Sequence, residues 1–389
     1  MKPQKADLLN ANYRDLLGWL TQHQPQMVEQ VRELVTRESP THDKPSCDAL
    51  CTYLGEQFRG LGGKVKVRRQ AKAGNHLQVD FTGPRGRKPV LLLGHYDTVY
   101  DLGTVKTMPW RETDGRLFGP GVFDMKGGIV QIIFALRALR EVKGGLPRPV
   151  RVWLVSDEET GSNSSRAITE KLASQCAAAL VCEPSGPEGA LKTARKGVGG
   201  FVIQITGKAA HSGLDFEKGQ SATQELAHQI HAIARLTDLK HGITLNVGVI
   251  RGGTRTNVVA GEASADVDLR IAHKSDGPRM ERKVKALRPV NRHCQLHIEG
   301  GLNRPPLERT KAVAALFQTA QKIAHDLGFS LKEIAVGGGS DGNFTAGIGV
   351  PTLDGLGAVG DGAHASHEYV VAAELPRRAA LLAGLIEAV

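Results

Sequence analysis

Imidazole and carboxylate side chains stand directly after three apolar stretches of the chain. The residues in these positions are His95 and Asp97, Glu158 and Glu159, and Glu183. Ligands of open α/β sheets gather at the carboxyl ends of parallel strands, so we expect these side chains at one edge of a sheet. Zinc accepts imidazole nitrogen and carboxylate oxygen and does not require cysteine. The pattern predicts metal-assisted chemistry at that edge.

A further carboxylate, Asp124, lies in a stretch rich in glycine and proline, Gly119-Pro120-Gly121-Val122-Phe123-Asp124. Proline fixes φ and glycine permits backbone geometries closed to other residues, so this loop should be tight and stiff. Taken alone, Asp124 could be a helix cap, a metal ligand or a neighbour of a phosphate loop. Four or five candidate ligands exceed the three of a mononuclear catalytic site, which favours a carboxylate that bridges two metals.

Buried strands that alternate with helices are expected to position these residues. Apolar runs predict strands over 64–67, 77–81, 89–94, 150–155 and 177–181. Helical spacing predicts helices over 6–36, 46–60, 128–142 and 163–174. We therefore expect an α/β fold with a mostly parallel sheet and helices on both faces.

The pattern changes near residue 197. Between 201 and 298 the predicted order is strand, helix, two strands, helix and strand, which is the ferredoxin-like β-α-β-β-α-β arrangement. A chain of 389 residues is long enough for two cores. We predict a catalytic domain in two parts, 1–196 and 303–389, interrupted by an inserted domain over 197–302.

Composition argues against other classes of protein. The net charge is +10, but Lys and Arg are spread along the chain and only 5% of residues are aromatic, which favours solvated basic surface over a nucleic-acid-binding face. No apolar run approaches the roughly 18–20 residues of a membrane span. The first residues lack the features of a signal peptide, so we expect a cytoplasmic protein. Five scattered cysteines predict reduced packing or surface residues rather than disulfides.

Five motifs, in this order, resemble those of the co-catalytic zinc metallopeptidases. They are His95-Tyr96-Asp97-Thr98-Val99, Gly119-Pro120-Gly121 with Asp124-Met125-Lys126-Gly127-Gly128, Glu158-Glu159, Glu183-Pro184 and Gly362-Ala363-His364. This family includes glutamate carboxypeptidase, aminoacylase, acetylornithine deacetylase and succinyl-diaminopimelate desuccinylase. The resemblance covers nearly the whole chain, inserted domain included, and is greatest to the glutamate carboxypeptidase type.

The resemblance implies two Zn²⁺ ions per subunit, for which Co²⁺ or Mn²⁺ can substitute. Carried over by position, the ligands are a bridging Asp124, His95 and Glu183 at one metal, and Glu159 and His364 at the other. Glu158 would be the general base that takes a proton from the metal-bridging water. Asp97 would hold the far imidazole nitrogen of His95. His367 stands in the same loop as His364 and competes with it as the ligand.

The resemblance also assigns residues in the inserted lid and dimerisation domain. His211, in Lys208-Ala209-Ala210-His211-Ser212-Gly213, would stabilise the tetrahedral oxyanion from the partner subunit of a homodimer. Asn257 matches another residue that reaches the same site.

Two more residues match positions that contact substrate in the family. Arg270 would pair with the α-carboxylate of the substrate, and Gly339 would line the pocket. Arg270 could instead form a salt bridge with Asp266 or Asp268 in its own sheet.

The expected substrate is a small peptide or N-acyl amino acid with a free α-carboxylate, and the expected reaction releases a C-terminal glutamate. A deacetylase or desuccinylase of the same family is the alternative, since it would use the same five ligands. A serine hydrolase is a rival interpretation, because Gly338-Gly339-Ser340-Asp341-Gly342 fits a nucleophile elbow and is followed by Asp354 and His364. A basic binding module without enzymatic activity would be indifferent to chelators and would bind nucleic acid in a salt-sensitive way.

Overall fold

The computed structural model describes residues 5–389, with side chains from Tyr13 onward. The α-helices in this part of the chain are α1 Lys5–Gln22, α2 Gln24–Thr36, α3 Lys44–Gly60, α4 Gly127–Lys143, α5 Arg166–Ala173, α6 Ala222–Ala234, α7 Asp276–Lys285, α8 Lys311–Asp326, α9 Gly342–Gly347 and α10 Glu374–Ala388. The strands are β1 Lys64–Arg68, β2 His76–Phe81, β3 Val90–His95, β4 Arg111–Thr113, β5 Arg116–Phe118, β6 Val150–Val155, β7 Ala179–Val181, β8 Leu191–Arg195, β9 Gly197–Thr206, β10 Ala210–His211, β11 Thr244–Gly252, β12 Val258–Val259, β13 Glu262–Ile271, β14 Gln295–Arg304, β15 Glu333–Val336, β16 Thr352–Leu353, β17 Gly360–Asp361 and β18 Tyr369–Val371. No helix among these combines the length and the apolar character that a membrane span requires.

The described residues form two compact units. The first contains the chain up to Ala194 together with Arg309–Val336 and Ser340–Val389. The second contains Arg195–Glu308 and the short segment Gly337–Gly339.

A six-stranded sheet lies at the centre of the first unit, in the order β1-β2-β6-β3-β7-β16. Strands β6, β3, β7 and β16 are mutually parallel, whereas β1 and β2 pair in the antiparallel sense at one edge. Every residue of β3 is buried, as expected for a strand covered on both faces. The predicted mostly parallel sheet is confirmed.

Apolar side chains of alternate residues build a core on each face of this sheet. Leu92 and Leu154 belong to a large core shared with residues of α1–α4, α8 and α10. Leu93 and Trp153 point into a smaller core with residues of α5. Helices therefore cover both faces, as the sequence predicted.

The helix predicted over 6–36 is two helices. Helix α1 ends at Gln22, and α2 begins at Gln24 with Pro25 in its first turn. Proline has no backbone N–H to bond to the preceding turn, so it is tolerated in the first turn of a helix and disrupts the interior of one. The single long helix was therefore a wrong prediction, and Pro25 explains it.

A small antiparallel sheet, in the order β17-β18-β5-β4, was not predicted. Strand β18 pairs with β5 through Tyr369 opposite Phe118. Because β5 ends at Phe118, just before the loop of Asp124, this pairing brings the β17–β18 loop and the Asp124 loop together. The loop between β17 and β18 carries His364.

The second unit has the order β9, α6, β11, β13, α7, β14, with two short strands in its loops. Its four-stranded sheet is antiparallel throughout, in the order β11-β13-β9-β14, which is the ferredoxin-like topology. One face is apolar, with Phe201, Ile203 and Ile205 of β9 packed in a core that includes residues of α6 and α7. Strand β14 ends at Arg304, two residues beyond the predicted limit of 302.

Candidate metal centre

Three adjacent parallel strands deliver candidate ligands to one edge of the first sheet. His95 is the last residue of β3. Glu158 and Glu159 lie in the short helical turn Glu158–Thr160 after β6, and Glu183 follows β7 by two residues. Since β3 lies between β6 and β7, their carboxyl ends are neighbours.

The loop of Asp124 depends on glycine at two positions. Gly121 has φ 71°, and a Cβ on it would lie 2.6 Å from Cγ2 of Thr98. A Cβ on Gly128 would collide with the carbonyl oxygen of Cys182, so only glycine lets α4 begin against the end of β7. Asp124 itself is non-helical, with φ −115° and ψ 95°, and its peptide bond to Met125 is cis. The loop is tight, as predicted.

The five candidate ligands fall into two groups that share Asp124. Oδ1 of Asp124 lies 3.0 Å from Nε2 of His95, which lies 3.6 Å from Oε1 of Glu183. Oδ2 of Asp124 lies 3.4 Å from Nε2 of His364, which lies 3.3 Å from Oε2 of Glu159. Each oxygen of one carboxylate thus faces a separate histidine–glutamate pair.

The residues present fit a pair of metal ions. Two ligand atoms of a tetrahedral zinc ion lie roughly 3.3 Å apart when each bond is about 2.0–2.1 Å. The four nitrogen–oxygen distances, 3.0–3.6 Å, fall around that value. Oε1 of Glu159 is buried and has no hydrogen-bond partner in the described part of the chain. A buried carboxylate oxygen of this kind costs free energy unless a cation or a donor reaches it.

Mutual contacts perturb the ionisation of the cluster. Hydrogen bonds to Asp124 and Glu159 raise the pKa of His364 to about 10. Burial opposes ionisation of Asp124, but the hydrogen bonds from His364 and His95 outweigh it and hold its pKa below the ordinary range. Burial raises the pKa of Glu159. Without metal, protonated histidines offset part of the negative charge of these carboxylates.

Asp97 connects the strand ends behind the cluster. Nδ1 of His95, the nitrogen that faces away from Asp124, lies 3.1 Å from the backbone carbonyl oxygen of Asp97 and 3.4 Å from Oδ1 of its carboxylate. Oδ2 of Asp97 accepts the hydroxyl of Thr41 at 2.8 Å. The backbone N–H groups of Glu158 and Glu159 also point at this carboxylate, at 3.4 and 3.3 Å. The carbonyl and the carboxylate of Asp97 both accept at Nδ1 of His95 and so fix the tautomer and the ring orientation of this histidine.

His364, rather than His367, contacts the carboxylates of the cluster. Both residues lie in the β17–β18 loop, and both are exposed. Within residues 13–389 no ion pair links His367 to Asp124 or Glu159, whereas His364 contacts both.

His211 and Asn257 are neighbours in the second unit. Strand β10 pairs with β12 through His211 opposite Val258, and Ser212 N donates to the carbonyl of Asn257 at 3.0 Å. Nδ1 of His211 accepts the N–H groups of Gly213 and Leu214 at 3.1 and 3.2 Å. The ring proton is therefore on Nε2, which makes the exposed side of the ring a hydrogen-bond donor.

Arg270 and the segment of Gly339 are also brought together. Arg270 forms a salt bridge with Asp268 at 2.9 Å, which is one of the alternatives that the sequence suggested. It also donates to the carbonyl of Gly337 at 3.3 Å. Arg195 donates to the carbonyls of Gly338 and Gly339 at 3.3 and 3.1 Å. Sequence reasoning assigned no role to Arg195, and its basic side chain at the start of the second unit was the only signal of one.

Ser340 lacks the surroundings of a catalytic serine. It is fully buried, and its hydroxyl donates to Oδ2 of Asp354 at 2.6 Å. Oγ of Ser340 also accepts the N–H of Gly342, at 3.1 Å. A nucleophile needs a base beside it and access to substrate, so these bonds identify Ser340 as a residue that holds its loop.

Sequence reasoning assigned no role to Glu368 or to Tyr100. Glu368 is fully buried, and its carboxylate accepts from the hydroxyl of Tyr100 and from backbone N–H groups of the Asp124 loop. An acidic residue directly before the apolar strand β18 was the one visible signal.

The amino-acid sequence matches a known peptidase family and one of its named proteins. The sequence model of peptidase family M20/M25/M40 matches residues 91–388. Carboxypeptidase G2 from Pseudomonas sp. (strain RS-16) is 28% identical over 376 residues, which cover 94% of this chain and 90% of that protein.

Solved structures share the fold. The aminopeptidase PepT from Bacillus cereus ATCC 10987 superposes with a TM-score of 0.79 at 24% identity, over 94% of this chain and 98% of that one. The Bacillus subtilis YXEP protein, a dinuclear metal binding peptidase, superposes with a TM-score of 0.69 at 15% identity, over 95% and 98% of the two chains. The match of the family model over most of the chain is decisive: the chain belongs to peptidase family M20/M25/M40 and is a metal-dependent hydrolase.

Proposed function

We propose that this enzyme is a dinuclear zinc carboxypeptidase that hydrolyses an amide or peptide bond next to a free α-carboxylate and releases a C-terminal glutamate. The observation that supports a dinuclear centre best is Asp124, whose two oxygens face two separate histidine–glutamate pairs. The similarity to a protein named carboxypeptidase G2 supports the choice of a C-terminal bond.

The residues that would hold the metals are the five of the cluster. In this proposal His95 and Glu183 hold one ion, Glu159 and His364 hold the other, and Asp124 contacts both. Metal ions at this position supply Lewis acidity and bring the pKa of water towards about 7. Zinc suits the nitrogen and oxygen donors, and Co²⁺ or Mn²⁺ would be accepted by the same set.

Glu158 is the proposed general base. Glu158 and Glu159 are consecutive in one short turn, and Glu159 is committed to His364 at 3.3 Å. In the proposal Glu158 takes the proton of the attacking water and returns it to the leaving nitrogen. Asp97 keeps Nε2 of His95 directed at the metal by holding Nδ1.

His211 is the proposed donor to the oxyanion. The two backbone N–H groups on Nδ1 leave Nε2–H as the free donor. A neutral imidazole N–H aimed at the developing negative charge stabilises the transition state more than the substrate. Asn257, next to His211, is proposed to reach the same oxygen.

Substrate selection is assigned to Arg270 and the Gly339 segment. In the proposal Arg270 pairs with the α-carboxylate, and Asp268 orients its guanidinium group. The alternative, an N-acyl amino acid deacylase, would use the same metal cluster and differ only in the residues around the acyl group.

A substrate screen tests this choice. Purified enzyme is offered a peptide ending in glutamate, the same peptide with a C-terminal amide, N-acyl glutamate, N-acetyl-ornithine and N-succinyl-diaminopimelate. Cleavage of the glutamate peptide but not of its amide, abolished by a chelator and restored by Zn²⁺, supports the proposal. Preference for N-acetyl-ornithine or N-succinyl-diaminopimelate would replace it with the deacylase.

We also propose a homodimer formed through the second unit. Strands β11 and β14 are the edges of its sheet, and Ile250 on β11 is 63% exposed. Exposed apolar edges of this kind are where strands of another chain pair. The test mixes two inactive variants, His211→Ala and Glu158→Ala. In a mixed dimer, one site takes Glu158 from the first variant and His211 from the second, so one of its two sites is intact. Because half of the dimers are mixed, about a quarter of wild-type activity should return. No recovery after subunit exchange would refute donation of His211 by the partner.

A further inference from the structure

Glu368 is a fully buried carboxylate with four donors around it. Oε1 accepts the backbone N–H groups of Phe123 and Asp124 at 2.8 and 2.9 Å. Oε2 accepts the N–H of Gly121 at 2.9 Å and the hydroxyl of Tyr100 at 2.6 Å. Charge-assisted hydrogen bonds are stronger than neutral ones, and these four offset part of the desolvation of the charge. Burial remains the larger effect and raises the pKa of Glu368.

These bonds connect two segments that are far apart in sequence. Glu368 follows His364 by four residues in the β17–β18 loop, whereas the three backbone donors belong to the loop that carries Asp124. The same carboxylate also accepts from Tyr100, whose hydroxyl oxygen lies 3.0 Å from the carbonyl oxygen of Ala365, next to His364. The backbones that carry the shared carboxylate and His364 are therefore linked through one side chain.

We propose that Glu368 is a positioning residue that fixes the backbone of Asp124 relative to His364 before any metal binds. It holds the N–H of Asp124 itself, so it restricts the position from which the side chain reaches both histidines. A site whose ligands are already ordered does not lose that ordering free energy on binding. This inference rests on the proposed dinuclear centre and assigns the residue that preorganises it.

Two substitutions separate this role from a general contribution to stability. Glu368→Gln has nearly the same shape, but only one side of its amide, the oxygen, can accept a hydrogen bond. Its NH₂ group must therefore face backbone N–H groups, either that of Gly121 or those of Phe123 and Asp124. Tyr100→Phe removes one donor and leaves all three backbone bonds, which makes it the matched control. Glu368→Asp keeps the charge and shortens the reach by one methylene.

The first measurement is hydrogen exchange in the metal-free wild-type protein. If Glu368 orders the loop in advance, the amides of Gly121, Phe123 and Asp124 exchange slowly without metal, and Glu368→Gln accelerates them while the amides of β3 stay protected. Exchange of these three amides at the rate of unstructured backbone in metal-free wild type would overturn the proposal whether or not any variant folds.

The second measurement is Zn²⁺ affinity by competition with a chelator, alongside thermal unfolding of the metal-free proteins. We expect Glu368→Gln to bind Zn²⁺ about 10–100-fold more weakly, as for other residues that orient metal ligands. Tyr100→Phe, which keeps the three backbone bonds to Glu368, should lose much less Zn²⁺ affinity than Glu368→Gln, and Glu368→Asp should lie between the two. Wild-type affinity in folded Glu368→Gln would refute the positioning role. If Glu368→Gln does not fold, Glu368→Asp decides by the same criterion.

Failure of the underlying function gives a different result. A wild-type protein that binds no Zn²⁺ at all would refute the dinuclear centre itself. Wild type that binds two ions, together with a Glu368→Gln variant of unchanged affinity, refutes only the role of Glu368.

Discussion

His95 and His364 face opposite oxygens of the same carboxylate. Nε2 of His95 lies 3.0 Å from Oδ1 of Asp124, and Nε2 of His364 lies 3.4 Å from Oδ2. The two histidines come from the end of β3 and from the β17–β18 loop, so the arrangement brings together segments that are far apart in sequence. It gives each half of the cluster its own histidine and its own glutamate and leaves Asp124 in common.

Metal stoichiometry should follow this division. Asp124→Ala removes the shared ligand, so we expect the Zn²⁺ content after dialysis to fall from two ions per chain towards zero. His364→Ala leaves His95, Asp124 and Glu183 in place, so we expect one ion to remain. Elemental analysis of dialysed protein measures both values. Asp101→Asn, at an exposed position, is the control and should retain two ions. Two tightly held ions in Asp124→Ala would contradict the shared role.

Removal of the proposed base should separate chemistry from metal binding. Glu158→Ala keeps all five ligands, so we expect both ions to remain while kcat falls by about 10²–10⁴-fold and KM changes little. Steady-state kinetics on a metal-analysed sample gives the answer. Glu141→Gln, exposed on α4, should match wild type. Near-normal turnover of metal-loaded Glu158→Ala would show that another group takes the proton.

The strands that carry the site were predictable because they are apolar along their whole length. A buried parallel strand such as β3 has a strong local signal, and the residue after it marks the sheet edge. The small sheet of β4, β5, β17 and β18 gave no such signal. All three residues of β4 are exposed, so β4 lacks the alternation of apolar and polar residues that marks a half-buried strand.

Buried polar contacts were the part of the site that could not be predicted. Glu368 accepts from Asp124 N, a donor 244 residues away in the sequence. Thr41 donates to Asp97 across 56 residues. Such pairs depend on the folded path of the chain and leave no local pattern in the sequence. The break in the helix predicted over 6–36 is different, because Pro25 is a local signal that predicts a helix boundary.

Glu225 should make the stability of the second unit depend on pH. It is 1% exposed, and its carboxylate accepts from Asn291 N at 2.7 Å, Val290 N at 3.0 Å and Gln229 Nε2 at 2.6 Å. Burial opposes ionisation, but these hydrogen bonds outweigh it and hold the pKa of Glu225 below the ordinary range. Because the folded pKa is the lower one, the contribution is full above about pH 4.3 and is lost as the pH falls through the folded pKa.

The measurement is the free energy of unfolding in urea for wild type and Glu225→Gln at several pH values. At pH 7 we expect the variant to be less stable by about 2 kcal/mol, since one backbone N–H would face an amide NH₂ group. The difference should narrow below about pH 4. Glu217→Gln, exposed in the same unit, should show no difference. A difference in the free energy of unfolding that does not change with pH would mean that the shape of the side chain, rather than its charge, accounts for the lower stability of the variant.

All five cysteines should resist thiol reagents in the folded protein. Cys47, Cys51, Cys176, Cys182 and Cys294 are buried and unpaired. Burial raises the pKa of Cys47 to about 12, and that of Cys51 and of Cys176 to about 11. The reactive thiolate is therefore scarce at pH 8, and reagent cannot reach it without local unfolding. Titration with a disulfide reagent should find no fast-reacting thiol in native protein and five in denaturant. Ser174→Cys, at an exposed position, should add one fast thiol, and any fast reaction of the wild type would identify a cysteine whose surroundings open.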